Sequence, residues 1–250
     1  MAGPELTPVA PADAREGDAA ALQAFLDKWR ARWPEWPIAE VFVPAAERPR
    51  ALAWAALVQE LGDAAWGGAD PRPGLAKLGW WQEELRGWER GVRRHPLGLS
   101  LLRTGAPWGV LAAALDSLPG TRERPGDAAE AFDQLAPFAR AAAAVEGALF
   151  GAAPGREADH GPLSAWLLLS RFTHDNDAHI PLTLLASAGS GDPRQAWTAE
   201  LRQRWPGAAS SSRPRRIWTA LARGRLDAAD PGQPLSGWST LWRAWKAARV

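Results

Sequence analysis

Few side chains in this sequence are spaced to do chemistry. The densest group is His174, Asp175, Asp177 and His179. Imidazole and carboxylate together can hold Zn²⁺. The two histidines do not share a helix face, however, so a loop or helix-end role is favoured. Ser164, Ser170 and Ser187 have no neighbouring sign of a nucleophile's environment. No G-x-S-x-G, phosphate-binding loop or dinucleotide fingerprint occurs. Arg213, Arg215 and Arg216 sit in a Ser/Pro-rich stretch. That reads as a solvated loop, with contact to an anion as the functional alternative.

Composition narrows the chemistry further. The absence of Cys excludes disulfides, thiolate zinc sites and cysteine nucleophiles, and it fits a reducing compartment. Lys and Arg number 29 against 28 Asp and Glu, a net charge of +1. A general nucleic-acid binder needs a basic excess to neutralise phosphates, so none is expected. The N-terminus lacks a basic start followed by an apolar run, so no secretory signal is expected. No apolar run reaches bilayer-spanning length. The expected location is cytoplasmic, with membrane contact at most peripheral, at the inner membrane face.

The elements that would position these residues are helical. Hydrophobic residues make up 46% of the 250 residues, enough for a substantial core. Alanine dominates that fraction and favours helix. Residues 1–17 read as a disordered lead-in and 18–250 as one domain. Leu22, Phe25, Leu26, Trp29 and Trp33 recur at helical spacing until Pro34 and Pro37, and Ile38 to Pro44 reads as an extended connector. A second helix covers Ala45 to Ala65. The organising stretch runs from Asp70 to Pro96, with Leu75, Leu78, Trp81, Leu85, Trp88 and Val92 on one side. Asp70-Pro71 is its start signal and His95-Pro96 its stop.

Beyond it, Gly105-Ala106-Pro107 marks a break, and Asp127 with Glu130 a capping pair. Pro137 should bend or split the next helix. An apolar helix follows Gly161, then shorter helices. Gly207 to Pro214 reads as a loop. On the last helix Trp238, Leu241, Trp242 and Trp245 form a stripe, apart from Arg243, Lys246 and Arg249. That stripe suits either docking on the core, which is favoured, or an interfacial membrane helix. Periodicity alone therefore predicts an all-α single domain without strands.

The run Lys77-Leu78-Gly79-Trp80-Trp81-Gln82-Glu83-Glu84-Leu85, followed by His95-Pro96, resembles the squalene/phytoene synthase family. Bacterial members often read K-L-A-W-W-R-x-E-L here, with H-P further on. The resemblance covers roughly Ala45 to Leu185. It implies a helical bundle of the isoprenoid synthase type. Family members join two prenyl diphosphates head to head, with Mg²⁺ held by D-x-x-x-D on each of two helices. Aspartates at i and i+4 share one helix face, and Mg²⁺ takes carboxylates plus substrate phosphates.

Both motifs depart from the family pattern. The first, R-E-V-D-D-V-V-D-E, falls without a gap on Gln59-Glu60-Leu61-Gly62-Asp63-Ala64-Ala65-Trp66-Gly67. The two metal-binding positions become Gly62 and Trp66. Glu60 matches the family glutamate, and Asp63 an aspartate outside the i, i+4 pair. The second motif falls on Leu169 to Leu182, where Arg171 and Asp175 remain at motif positions. The family's second aspartate and its G-R-x-Y element are missing. The resemblance thus implies a protein that has lost Mg²⁺-dependent prenyl transfer and needs no cofactor. It would act by binding an isoprenoid or lipid, or as an assembly or partner protein. Superfamily members that assist respiratory complex I assembly look similar. The alternative is an active prenyl diphosphate transferase using Mg²⁺ on Asp63, Asp175 and Glu60.

Overall fold

Apolar residues at helical spacing, punctuated by Pro and Gly, fold this chain into helices alone. The computed structural model describes residues 11–151, 159–174, 179–187, 189, 191–207 and 211–249. In chain order the α-helices are α1 (Pro11–Arg32), α2 (Trp36–Ala39), α3 (Arg48–Trp66), α4 (Arg72–Glu89), α5 (Gly98–Leu101), α6 (Trp108–Ala114), α7 (Ala128–Phe150), α8 (Gly161–His174), α9 (Leu182–Ser187), α10 (Pro193–Gln203), α11 (Arg213–Asp227) and α12 (Gly237–Ala248). Short 3₁₀ turns fill some of the joints. Among the described residues there is no strand, and no helix is long and apolar enough to cross a membrane. The fold is all-α.

Helix α3 runs through the middle. Every residue from Ala51 to Gly62 is buried on it, so it is apolar all round rather than on one stripe. Helices α1 and α4 pack against it, and α7 pairs with α8 while α11 packs on α8. Tryptophan supplies the bulk. Trp54, Trp108, Trp88 and Trp81 form a continuous aromatic chain across α3, α6 and α4, with centroid distances of 6.3, 5.0 and 6.4 Å. The Trp108–Trp88 and Trp88–Trp81 pairs are edge-to-face, and such pairs add roughly 0.5–1.5 kcal/mol each beyond area burial.

The expected helix pattern holds with local corrections. Helix α1 begins at Pro11, inside the stretch read as a disordered lead-in. Proline suits a first helical turn and the alanines after it propagate helix. The connector at 38–44 is helical at α2 and in the turn Glu40–Phe42 rather than extended. Pro137 lies inside α7 and does not split it. The Asp127 cap forms as expected: its Oδ1 accepts from the Glu130 N–H at 2.9 Å.

On α4, Leu78, Trp81, Leu85 and Trp88 are buried, but Leu75 and Val92 are exposed. The stop is Gly91, not His95-Pro96. Gly91 takes φ 77°, the Val92 N–H reaches the Gly87 carbonyl at 2.9 Å and the Gly91 N–H reaches Trp88 at 3.1 Å. Those are the two bonds of a Schellman cap, which needs a left-handed residue and so favours glycine. Pro96 stands too late to matter.

The chain after that cap is organised by Glu84. Its Oε1 accepts from Trp88 Nε1 at 2.8 Å and from the Arg94 and His95 N–H groups at 2.8 and 2.7 Å. Burial pushes the Glu84 carboxyl up, but these bonds outweigh it and hold it below the ordinary carboxylate range. His95 is thereby fixed among Phe25, Trp81 and Trp80, with centroids 4.5, 4.5 and 5.8 Å away. Burial, aided by Lys77 and opposed by Glu60 and Glu84, pushes its imidazole down to about 4.

A pH dependence follows. Between pH 6.5 and about 4 the unfolded chain binds a proton at His95 that the folded chain refuses. Stability is therefore lost as pH is lowered through that window, by about 3 kcal/mol from this residue. His179, pushed to about 3, acts in the same direction. Urea unfolding at pH 7 and pH 4.5 should show a smaller loss in His95→Asn than in the parent chain. An equal loss would contradict the assignment.

Candidate functional site

The two helices carrying the motif positions face one another. Gln59, Gly62, Asp63 and Trp66 of α3, Trp166, Leu167, Ser170 and Arg171 of α8, and Arg32 of α1 line one cleft of about 120 Å³. Pockets for drug-sized ligands run from roughly 300 Å³ upward, so the cleft is small. Its wall on α3 is made by residues four apart, which share a helix face.

Trp66 stands at a position where the resemblance would place a carboxylate. Its ring folds back over Gly62, so that a Cβ added there would lie 3.0 Å from the indole. The absent side chain at 62 makes room for the large one at 66. The indole Nε1–H donates to Thr121 Oγ1 at 2.8 Å. Its face meets the Arg171 guanidinium at 5.3 Å, a cation–π contact across the cleft. Thr121 is itself fixed, donating to the Leu118 carbonyl at 2.6 Å.

The remaining carboxylates are held by cations. Glu60 is buried and bonds Lys28 Nζ at 2.5 Å and Lys77 Nζ at 2.6 Å. Asp63 bonds Lys28 at 2.9 Å and Arg32 at 2.7 Å. Burial raises the Glu60 carboxyl, but the two lysine hydrogen bonds together outweigh it and hold it below the usual range. Burial likewise lowers Lys28, and its bonds to Glu60 and Asp63 more than offset that, so it is raised. Both groups stay ionised at neutral pH, and three cations face two carboxylates.

The α8 end of the site is electropositive as well. His179 is pushed down to about 3 by burial first, then by Arg171, Arg124 and Arg122. Arg124 donates to the Ile180 carbonyl at 2.8 Å. Arg122 donates to the Ala65 carbonyl at 2.8 Å and to Gly68 at 2.7 Å, closing the C-terminal end of α3.

The sequence expectations therefore divide. Gly62, Asp63, Trp66 and Arg171 come together in the cleft, Glu60 lies beside it and is linked to Asp63 through Lys28, and Asp175 and Asp177 lie outside the described residues, as does the His174 side chain. Among the described residues no three His, Asp or Glu side chains gather to hold a metal. Among the described charged residues lining the cleft, Asp63 is the one carboxylate, and it stands with Arg32 and Arg171.

Sequence reasoning missed Lys28 and Arg32, which α1 carries one turn apart toward α3. Gln59, where the motif alignment begins, is buried in the cleft wall with no partner for its Oε1 among the described residues. Helical spacing marks the pair on α1, but nothing local says that their partners lie on α3. The Ser/Pro-rich setting of Arg215 predicts a solvated loop. Arg215 is instead buried in the first turn of α11 and paired with Glu146. Comparison with protein-family models, with curated proteins and with solved structures finds no match to this chain.

Proposed function

We propose that this chain is a divergent squalene/phytoene synthase-like protein that does not carry out Mg²⁺-dependent prenyl transfer and acts as an assembly or partner protein. The observation that carries this is Trp66 lying over Gly62, in the two positions where the resemblance expects a metal-binding pair. The residues that keep the family pattern support the same view, because they build the frame. Lys77 ties α4 to Glu60 on α3. Glu84 fixes the turn to His95. A cleft of about 120 Å³ leaves little room for a prenyl chain, which favours a protein partner over an isoprenoid ligand.

Calorimetric titration with Mg²⁺, alone and with a non-hydrolysable farnesyl diphosphate analogue, tests the proposal. A product assay with farnesyl and geranylgeranyl diphosphate complements it. No Mg²⁺-dependent heat and no condensed product are expected. Micromolar, Mg²⁺-dependent binding of the analogue would overturn it and restore a transferase using Glu60, Asp63 and Asp175.

A further inference from the structure

Helix α12 docks by a face other than the one its sequence suggests. Thr240 and Ala244 are buried, and α12 packs along α11. Gly224 of α11 leaves room there for the Arg243 stem and Leu235. The tryptophan stripe consequently points away from the core. Trp238 is 83% exposed, Trp242 60% and Leu241 37%. The favoured docking of this stripe on the core is therefore not met: α12 docks by the face that carries Thr240 and Ala244.

The outward face is organised. Trp242 and Trp245 stack at 5.0 Å, and Arg249 lies over the Trp245 ring at 4.5 Å. Ile38 and Val41, both exposed, stand on the neighbouring α2 and the 3₁₀ turn that α12 packs beside. Residues 237–249 contain three cations and no acid. Arg243 is engaged with Asp227 at 3.5 Å, whereas Lys246 and Arg249 form no ion pair among the described residues. More positive charge gathers at the helix end. Arg216 Nε donates to the Ala247 carbonyl at 3.0 Å, with exposed Arg213 close enough to act on it.

We infer that the outward face of α12 is a docking surface for an anionic lipid bilayer, with Trp238, Leu241 and Trp242 entering the interface and Lys246 and Arg249 meeting the headgroups. Three features select this occupant. Indole has an apolar body and one N–H donor, which suits headgroup depth. A helix lying in the interface joins such an aromatic stripe to flanking cations. The charge on α12 itself is of one sign, which complements anionic lipid, while the neighbouring turn carries the half-exposed Glu40. A second copy would bring a second set of cations to the same face, where like charges repel. The surface shares no lining residue with the α3/α8 cleft, so it is independent of what that cleft does.

Flotation of the full chain with phosphatidylcholine vesicles, with and without about one quarter phosphatidylglycerol, tests this. Binding is expected to the anionic vesicles, weakening as salt rises. The pair Trp238→Ala and Trp242→Ala should abolish flotation with its thermal melt unchanged, since both side chains are exposed. The pair Lys246→Ala and Arg249→Ala should weaken binding about 30-fold, from two headgroup contacts. It provides an independent readout if the first variant folds poorly. Absence of vesicle binding in the parent chain would overturn the inference. So would binding unchanged in both variants, or a dimer in sedimentation that the tryptophan variant disperses without any effect on flotation.

Discussion

Glu146→Ala should destabilise the fold by about 3–5 kcal/mol, the cost of leaving a buried charge unpaired. Glu146 on α7 receives Arg215 Nε at 3.1 and 3.0 Å, together with Arg215 Nη2, and it receives Trp54 Nε1 at 2.7 Å. One carboxylate therefore joins α3, α7 and α11. The guanidinium it neutralises is only 3% exposed, between Trp166 and Trp218 with centroids 5.4 and 4.9 Å away. Alanine would leave that cation with aromatic faces for company and no counter-charge. Urea denaturation measures the loss. Replacing both partners with Leu or Met of similar volume should cost far less than the single variant, because the desolvation penalty disappears with the charges. A double variant as unstable as the single would show that packing, not charge, sets the cost.

Glu35→Ala should cost a similar amount, about 3–5 kcal/mol. Glu35 stands between α1 and α2 and is 2% exposed. It receives Arg225 Nε at 2.7 Å, Arg225 Nη2 at 2.5 Å and the Leu235 N–H at 2.9 Å. Arg225 also lies over the Trp33 ring at 4.1 Å and donates to the Arg32 carbonyl at 2.8 Å. This pair ties the C-terminal end of α11, and the linker before α12, to the N-terminal helices. Its loss should loosen α11 and α12 first. Hydrogen exchange of the α12 amides in Glu35→Ala should rise more than exchange in α3. Uniform acceleration throughout would instead indicate global destabilisation alone. With Arg215 at one end and Arg225 at the other, α11 is fastened by two buried ion pairs, each covered by tryptophan.

By itself the sequence determined the helical class, most helix positions and the pairing of a glycine at 62 with a tryptophan at 66. Those follow from local rules: spacing of apolar residues, proline and glycine punctuation, and the identity of the residues at 62 and 66. Even Gly91 as the stop for α4 was there to be read, because a left-handed cap is a local requirement.

Only the tertiary structure decided which polar residues are buried, and against what. Lys28 and Arg32 meet carboxylates on another helix, and Arg215 and Arg225 find theirs in distant segments. Helical periodicity reports that a residue faces inward or outward, but not which partner the packing delivers. It failed on α12 for the same reason. The most apolar stripe of that helix, Trp238 to Trp245, is not the face α11 accepts. The buried face carries Thr240 and Ala244, and Gly224 of α11 leaves room for the Arg243 stem and Leu235 beside it.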